Sequence, residues 1–297
     1  FKEFGGVEAF PICLDSEDPE EVIRAVEMLA PQFGGINLED IRSPECFEIE
    51  RRLEEKLDIP VFHDDQHGTA IIVTAALLNA LKVVGKQLKD VKIVHNGPGA
   101  AGTAIIKMLQ TAGATDITAV DEHGILYPGR PAGLADHKEW LAGVTNPRHL
   151  TGGLAEAVKG ADVFIGTSVA NVLTPEMIKT MNKDAVVFAM ANPNPEVMPD
   201  VAKAAGVRVI GTGRSDFPNQ INNVLAFPGV FKGALSVRAR DINPQMKLAA
   251  VNALAGIITD EELNEDYIIP GAFDPRVVDR IAAAVAQAAR DTGVARL

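Results

Sequence analysis

Two adjacent pairs of carboxylates, Glu39-Asp40 and Asp64-Asp65, are the residues best suited to chemistry in this 297-residue chain. Each pair follows a short apolar run, Ile36-Asn37-Leu38 before the first and Ile59-Pro60-Val61-Phe62 before the second. Neighbouring side chains on a strand point to opposite faces, so one member of a pair reaches a given site unless the backbone turns at the strand end. Glu39, Asp40 and one of Asp64 and Asp65 would then offer three hard oxygen ligands, suited to Mg²⁺ or Mn²⁺ and leaving room for a chelating substrate. Capping and solvation at strand ends account for the same residues equally well, and both readings stay open on the residues alone. His63 and His67 have the i, i+4 spacing of a zinc pair, but no third nitrogen or sulfur ligand is near. A loop is expected to carry them, and hydrogen bonding within that loop is the better account. Asn192, Asn222 and Asn223 lie at a strand end and a helix approach. They could orient a carboxylate or a nicotinamide amide there, or simply form turns.

A second feature points to a nucleotide. Gly97-Pro98-Gly99-Ala100-Ala101-Gly102 directly follows the apolar strand Lys92-Ile93-Val94 and opens a helix, the context a dinucleotide-binding turn requires. Its first glycine makes the tight turn, the second admits pyrophosphate to the backbone, and the third lets helix pack on strand. Asp121 ends the next strand, where a carboxylate would bond a ribose hydroxyl. Its charge would repel a 2′-phosphate and so favour NAD over NADP, although Arg130 and His123 downstream could offset it. His95, inside the strand, reads as structural.

The elements that must hold these groups follow from the order of apolar runs. Residues 9–14 are expected as a buried strand, and a helix capped by Asp18 follows with Val22, Ala25, Val26 and Leu29 facing inward. A strand at 36–38, a helix from 45 to 57 and a strand at 59–62 complete a βαβ order, hence a parallel sheet. Residues 68–84 are nearly all apolar and read as a buried helix between domains. Strands at 92–94, 117–121, 163–166, 186–190 and 207–210 alternate with helices at 100–112, 154–158 and 175–180, while 122–151 reads as a surface excursion. Three helices near 227–237, 244–257 and 274–291 end the chain. The expected fold is α/β: a Rossmann-like nucleotide domain at 65–222, inserted into a discontinuous catalytic domain formed by 1–64 and the C-terminal helices of 223–297.

The bulk numbers exclude several classes. A formal charge of −12 leaves no basic surplus for nucleic acid or an anionic membrane surface. No apolar run is long enough to span a bilayer. Cys13 and Cys46 have no CxxC spacing, which fits a reducing cytoplasm and excludes a cysteine-built zinc site.

Together these motifs resemble the short bacterial malic enzymes. The resemblance rests on Phe33-Gly34-Gly35-Ile36-Asn37-Leu38-Glu39-Asp40-Ile41, on Val61-Phe62-His63-Asp64-Asp65-Gln66-His67-Gly68-Thr69-Ala70, on the glycine turn from Asn96, and on Ser215-Asp216-Phe217-Pro218-Asn219-Gln220-Ile221-Asn222-Asn223. It implies oxidative decarboxylation of L-malate to pyruvate and CO₂ with NAD or NADP and Mg²⁺ or Mn²⁺, in a homodimer. It implies Glu39, Asp40 and Asp65 as metal ligands, with Asp64 alongside, and Asn192 and Asn223 on the substrate side. Gly97, Gly99, Ala100, Ala101, Gly102, Asp121, Thr167, Ser168, Asn192 and Asn222 would border the cofactor. Pro98 stands where the family more often has alanine and removes one backbone donor.

The family's acid–base lysine and tyrosine, and an arginine for the substrate carboxylate, lie ahead of the position matching Phe1. Neither Lys2, Tyr127 nor Tyr267 matches them, so a separate or cleaved N-terminal segment is expected to supply these groups. Two alternatives remain on the sequence: a catalytically incomplete nucleotide- and metal-binding fragment, or a hydroxy-acid dehydrogenase that does not decarboxylate.

Overall fold

A computed structural model describes residues 1–134 and 137–297. After α1 (Lys2–Gly5) the chain runs without regular structure to Asp18, which accepts a bond from Glu20 N at 2.9 Å and caps α2 (Pro19–Leu29). Strand β1 (Ile36–Leu38), helix α3 (Glu45–Lys56) and strand β2 (Val61–His63) follow. The two strands pair in parallel with Leu38 opposite His63, and Ile23, Ile49, Leu53 and Val61 form the core beneath them. Parallel pairing sets the two C-terminal ends side by side, which is how Glu39-Asp40 comes to face Asp64-Asp65.

Residues 9–14 depart from expectation. They form no strand, and Phe10, Ile12 and Leu14 are exposed. An apolar run becomes a strand only when a sheet edge accepts its backbone, and among the described residues β1 and β2 pair with each other alone.

Helix α4 (Asp64–Val83) starts at Asp64, four residues before the expected Gly68. His63 caps it, its Nδ1 accepting from Gln66 N at 3.3 Å, and the two carboxylates sit in the first turn where the helix dipole favours negative charge. Asp64, Asp65 and His67 therefore ride on a helix and not on a loop.

The second unit contains β3 (Lys92–Asn96), α5 (Ala100–Thr111), β4 (Asp116–Asp121), β5 (Gly124–Ile125), α6 (His137–Val144), α7 (Leu154–Val158), β6 (Val163–Gly166), α8 (Pro175–Ile178), β7 (Val186–Ala189), α9 (Pro199–Ala204) and β8 (Val209–Thr212). Among the described residues the sheet order is β5-β4-β3-β6-β7-β8, antiparallel only between β4 and β5. Chain order reverses between β3 and β6, so a crevice opens at their C-terminal ends, where open α/β sheets bind ligands. The stretch 122–151 is less superficial than its glycines and prolines suggest, since Leu126 and Leu141 are fully buried.

Helices α10 (Phe227–Ser236), α11 (Pro244–Ala255) and α12 (Arg276–Asp291) close the chain. Helices α10 and α11 pack on α12, and α11 packs on α4. One core runs from Phe62 along α4 to Ile281, while Val94, Phe164 and Val187 fill the opposite face of the sheet. No described helix is long and apolar enough to cross a membrane.

Candidate metal and nucleotide site

Asp40 adopts a left-handed conformation, φ +55°, which aspartate tolerates better than most residues. That turn breaks the strand's alternation and lets Asp40 N donate to Asp65 Oδ2 at 2.9 Å. Glu39, Asp40 and Asp65 each bring a carboxylate oxygen to within 4.8 Å of the others. Asn37 Nδ2 holds Glu39 Oε2 at 2.8 Å. Asp64 is buried; Asn223 Nδ2 donates to its Oδ2, while Oδ1 has no hydrogen-bond partner. Burial, then the charges of Glu39 and Asp65, push the Asp64 carboxyl up to about 8. Burial and Asp65 likewise raise Glu39. Crowded hard oxygens with one buried oxygen left over suit a divalent cation such as Mg²⁺ or Mn²⁺. A zinc pair does not fit, because His67 is directed to Glu50 and only His63 faces the cluster, its Nε2 3.9 Å from Asp65 Oδ2.

Gly68 belongs to this site, although the sequence suggested only a helix start. A Cβ there would collide with Asp64 Oδ1 and lie 3.2 Å from Asn223 Cβ. Glycine inside a helix costs about 1 kcal/mol relative to alanine. The space it leaves is what the Asp64 carboxyl occupies.

Glu50 was also not singled out. Buried on α3, it accepts from His63 N at 3.0 Å and Gln66 Nε2 at 3.1 Å, and lies 2.7 Å from His67 Nε2. Burial opposes its charge, yet His67 and the buried Lys247 of α11 hold the carboxyl down to about 2. One signal was available. Glu50 shares the buried stripe of α3 with Cys46, Ile49 and Leu53, and a carboxylate on an apolar stripe needs partners.

At the glycine turn, Gly97 has φ +92° and Gly99 N donates to Gly97 O at 2.9 Å. Gly99 then opens α5, whose leading amides, at Ala100, Ala101 and Gly102, have no earlier carbonyl of the helix to bond and can hold a phosphate. Thr167 Oγ1 donates to Gly97 O at 2.7 Å, and Asn96 Nδ2 donates to Ser168 Oγ at 2.7 Å. Glu196, fully buried, accepts from Ser168 N at 2.8 Å and from Ala191 N at 3.0 Å, tying the ends of β6 and β7 together. Nothing in its polar surroundings at Asn194-Pro195-Glu196 foretold that burial. Asn192 is exposed beyond β7, and Asn222 Oδ1 caps the turn before α10 by accepting from Val224 N at 3.0 Å.

Asp121 is not the free carboxylate that the spacing suggests. Arg130 grips both its oxygens at 2.7 and 2.8 Å, and Lys138 reaches it at 3.0 Å. Burial opposes its charge, but these two cations hold it down to about 2. The offset that Arg130 could provide is the one the geometry builds, so repulsion of a 2′-phosphate by Asp121 loses its force.

His95 lies under the turn, fully buried, with both ring nitrogens unpartnered, and burial drives it down to about 3. Its folded value lies below the unfolded value near 6.5, so the unfolded chain binds the extra proton. Stability is therefore lost as pH falls below about 6.5, by up to about 1.4 kcal/mol per unit. His95→Leu is expected to remove that increment between pH 6 and 4, measured by urea unfolding across the range. Equal pH slopes for the two proteins would refute the assignment.

An acidic cluster at the ends of β1 and β2, in a chain that also carries a dinucleotide-type turn on an open α/β sheet, defines a nucleotide-binding protein with a candidate cation site. Residues 66–290 match the malic enzyme NAD-binding domain, and residues 14–54 match the malic enzyme N-terminal domain. The chain is 56% identical over its full length to the bifunctional malic/malolactic enzyme of Bacillus subtilis, of which it spans 72%. It is 57% identical to the NAD-dependent malic enzyme of Geobacillus stearothermophilus, again over its full length, and spans 62% of that protein. To the NADP-dependent malic enzyme of Escherichia coli it is 47% identical over 99% of this chain and 41% of the relative. The crystal structure of malic enzyme from Pyrococcus horikoshii superposes with a TM-score of 0.95 at 49% identity, covering 99% of this chain and 70% of that one. The chain belongs to the malic enzyme family.

Proposed function

We propose that the protein oxidatively decarboxylates L-malate to pyruvate and CO₂, reducing NAD in preference to NADP, with Mg²⁺ or Mn²⁺ held by Glu39, Asp40 and Asp65. The observation that carries this reading is the convergence of those three carboxylates beside a buried Asp64 that accepts from Asn223. A divalent cation bound there supplies positive charge that polarises the substrate's C2 oxygen and takes up negative charge as the carboxyl departs. Asp64 lies alongside the three carboxylates and is kept in place by Asn223 and the space at Gly68. Asn223 and Asn192 orient the substrate, the α5 amides hold the pyrophosphate, and Thr167 and Ser168 border the cofactor. The proton transfers at the C2 hydroxyl and at C3 are assigned to no residue of 1–297.

NAD is favoured because the NAD-dependent Geobacillus relative is more similar than the NADP-dependent Escherichia one, at 57% against 47% identity. We also read 1–64 with 223–297 as one domain and 65–222 as the other, in a cytoplasmic homodimer. The test is the complete protein supplied with L-malate, Mn²⁺ and either cofactor. Pyruvate and CO₂ forming one for one with reduced cofactor is the expected result. Reduced cofactor without CO₂ would leave a simple hydroxy-acid dehydrogenase, and no turnover with either cofactor would leave a non-catalytic nucleotide- and metal-binding protein.

A further inference from the structure

The hydrogen bonds of Glu50 bracket the acidic pair of α4. His63 precedes Asp64 and Asp65, Gln66 and His67 follow them, and all three end on one buried carboxylate at 3.0, 3.1 and 2.7 Å. The contact with His67 makes Nε2 its donor nitrogen. On the other side, Asp65 must meet Glu39 and Asp40, which arrive from a different element, and the direct tie between the two is the bond from Asp40 N at 2.9 Å. A three-oxygen set assembled from two elements needs one of them fixed, because a shift of a few tenths of an ångström spoils cation geometry.

We propose that Glu50 is a positioning residue for the divalent cation, a clamp that accepts from three donors and sets the direction in which Asp65 meets Glu39 and Asp40. This rests on the metal reading above and deepens it. Without the clamp, the first turn of α4 keeps the His63 cap but loses its anchor to α3. Burial opposes the charge on the clamp, and His67 first, then the buried Lys247 of α11, favour it.

The experiment measures Mn²⁺ affinity by paramagnetic resonance or calorimetry, alongside NAD⁺ affinity and Tm, on the full chain. Glu50→Ala is expected to weaken Mn²⁺ about 10- to 100-fold while NAD⁺ affinity stays at the wild-type value. Glu50→Gln is expected to restore Mn²⁺ binding even if Tm falls. Its amide oxygen still accepts from His63 N and His67, and the Gln66 amide can turn over to accept from the new NH₂. If Glu50→Ala does not fold, Glu50→Asp decides: it keeps the charge, loses the reach, and is expected to bind Mn²⁺ about tenfold more weakly than Glu50→Gln. Wild-type Mn²⁺ affinity in the alanine or aspartate variant overturns the proposal, as does a glutamine variant as weak as either. A wild-type protein that binds no Mn²⁺ overturns the metal reading itself, and the clamp falls with it.

Discussion

Asp65→Asn is expected to weaken Mn²⁺ binding at least about a hundredfold and to take turnover of malate down with it. Asp65 contributes one of three clustered oxygens and anchors Asp40 N at 2.9 Å, so the substitution removes a ligand charge and loosens the turn that aims a second ligand. The same change relieves repulsion in the metal-free protein, because Asp65 is one of the charges that raise Asp64 and Glu39. Two opposite shifts follow. Without metal, the variant should melt no lower than wild type. With Mn²⁺ in about hundredfold excess over its dissociation constant, wild type gains about 2.7 kcal/mol and the variant almost nothing. Thermal melts with and without Mn²⁺, run on both proteins, read both shifts. A variant stabilised by Mn²⁺ as much as wild type would remove Asp65 from the ligand set.

How far the sequence alone reached depends on whether the signal was local. The glycine turn was legible because each glycine answers a local demand, and the βαβ order because apolar runs and their breaks are local too. The acidic pairs were visible as residue types. Their convergence stayed an open reading: the βαβ order announced the parallel pairing of β1 and β2, but residue types alone do not dictate the left-handed Asp40 that completes it. The start of α4 was misplaced because a histidine cap is a weak signal beside the long apolar run after Gly68. Residues 9–14 looked like a strand, yet strand formation needs a partner edge that no local pattern supplies. Arg130 was named as the possible partner of Asp121 that it is, whereas Glu50 and Glu196 were missed as structural keys for one shared reason. Each is a charged residue whose partners lie on other segments, and sequence shows the charge without the burial.

Gly97→Ala is expected to raise the NAD⁺ dissociation constant by about two orders of magnitude, or about 2.7 kcal/mol, while leaving Mn²⁺ affinity unchanged. At φ +92° an L side chain is strained to begin with. The added Cβ would also lie 2.7 Å from Thr167 O, 2.8 Å from Ser168 Cβ and 2.9 Å from Thr167 C. Two of those three atoms are backbone, and the segment that carries them is tied down. Thr167 N bonds Asn96 O at 2.9 Å, its hydroxyl bonds Gly97 O at 2.7 Å, and Ser168 N is held by Glu196 at 2.8 Å. The turn must therefore open, and the leading amides of α5 swing with it. Gly99→Ala separates this effect from the approach of the ligand. Apart from its chain neighbours, no described atom lies within 4 Å of a Cβ at Gly99, so that variant should keep the wild-type Tm. Any loss of NAD⁺ affinity it shows then reports phosphate meeting the new methyl group, whereas Gly97→Ala should lose affinity and Tm together. If both variants bind NAD⁺ as wild type does, the turn holds no pyrophosphate and the crevice at β3 and β6 serves another purpose.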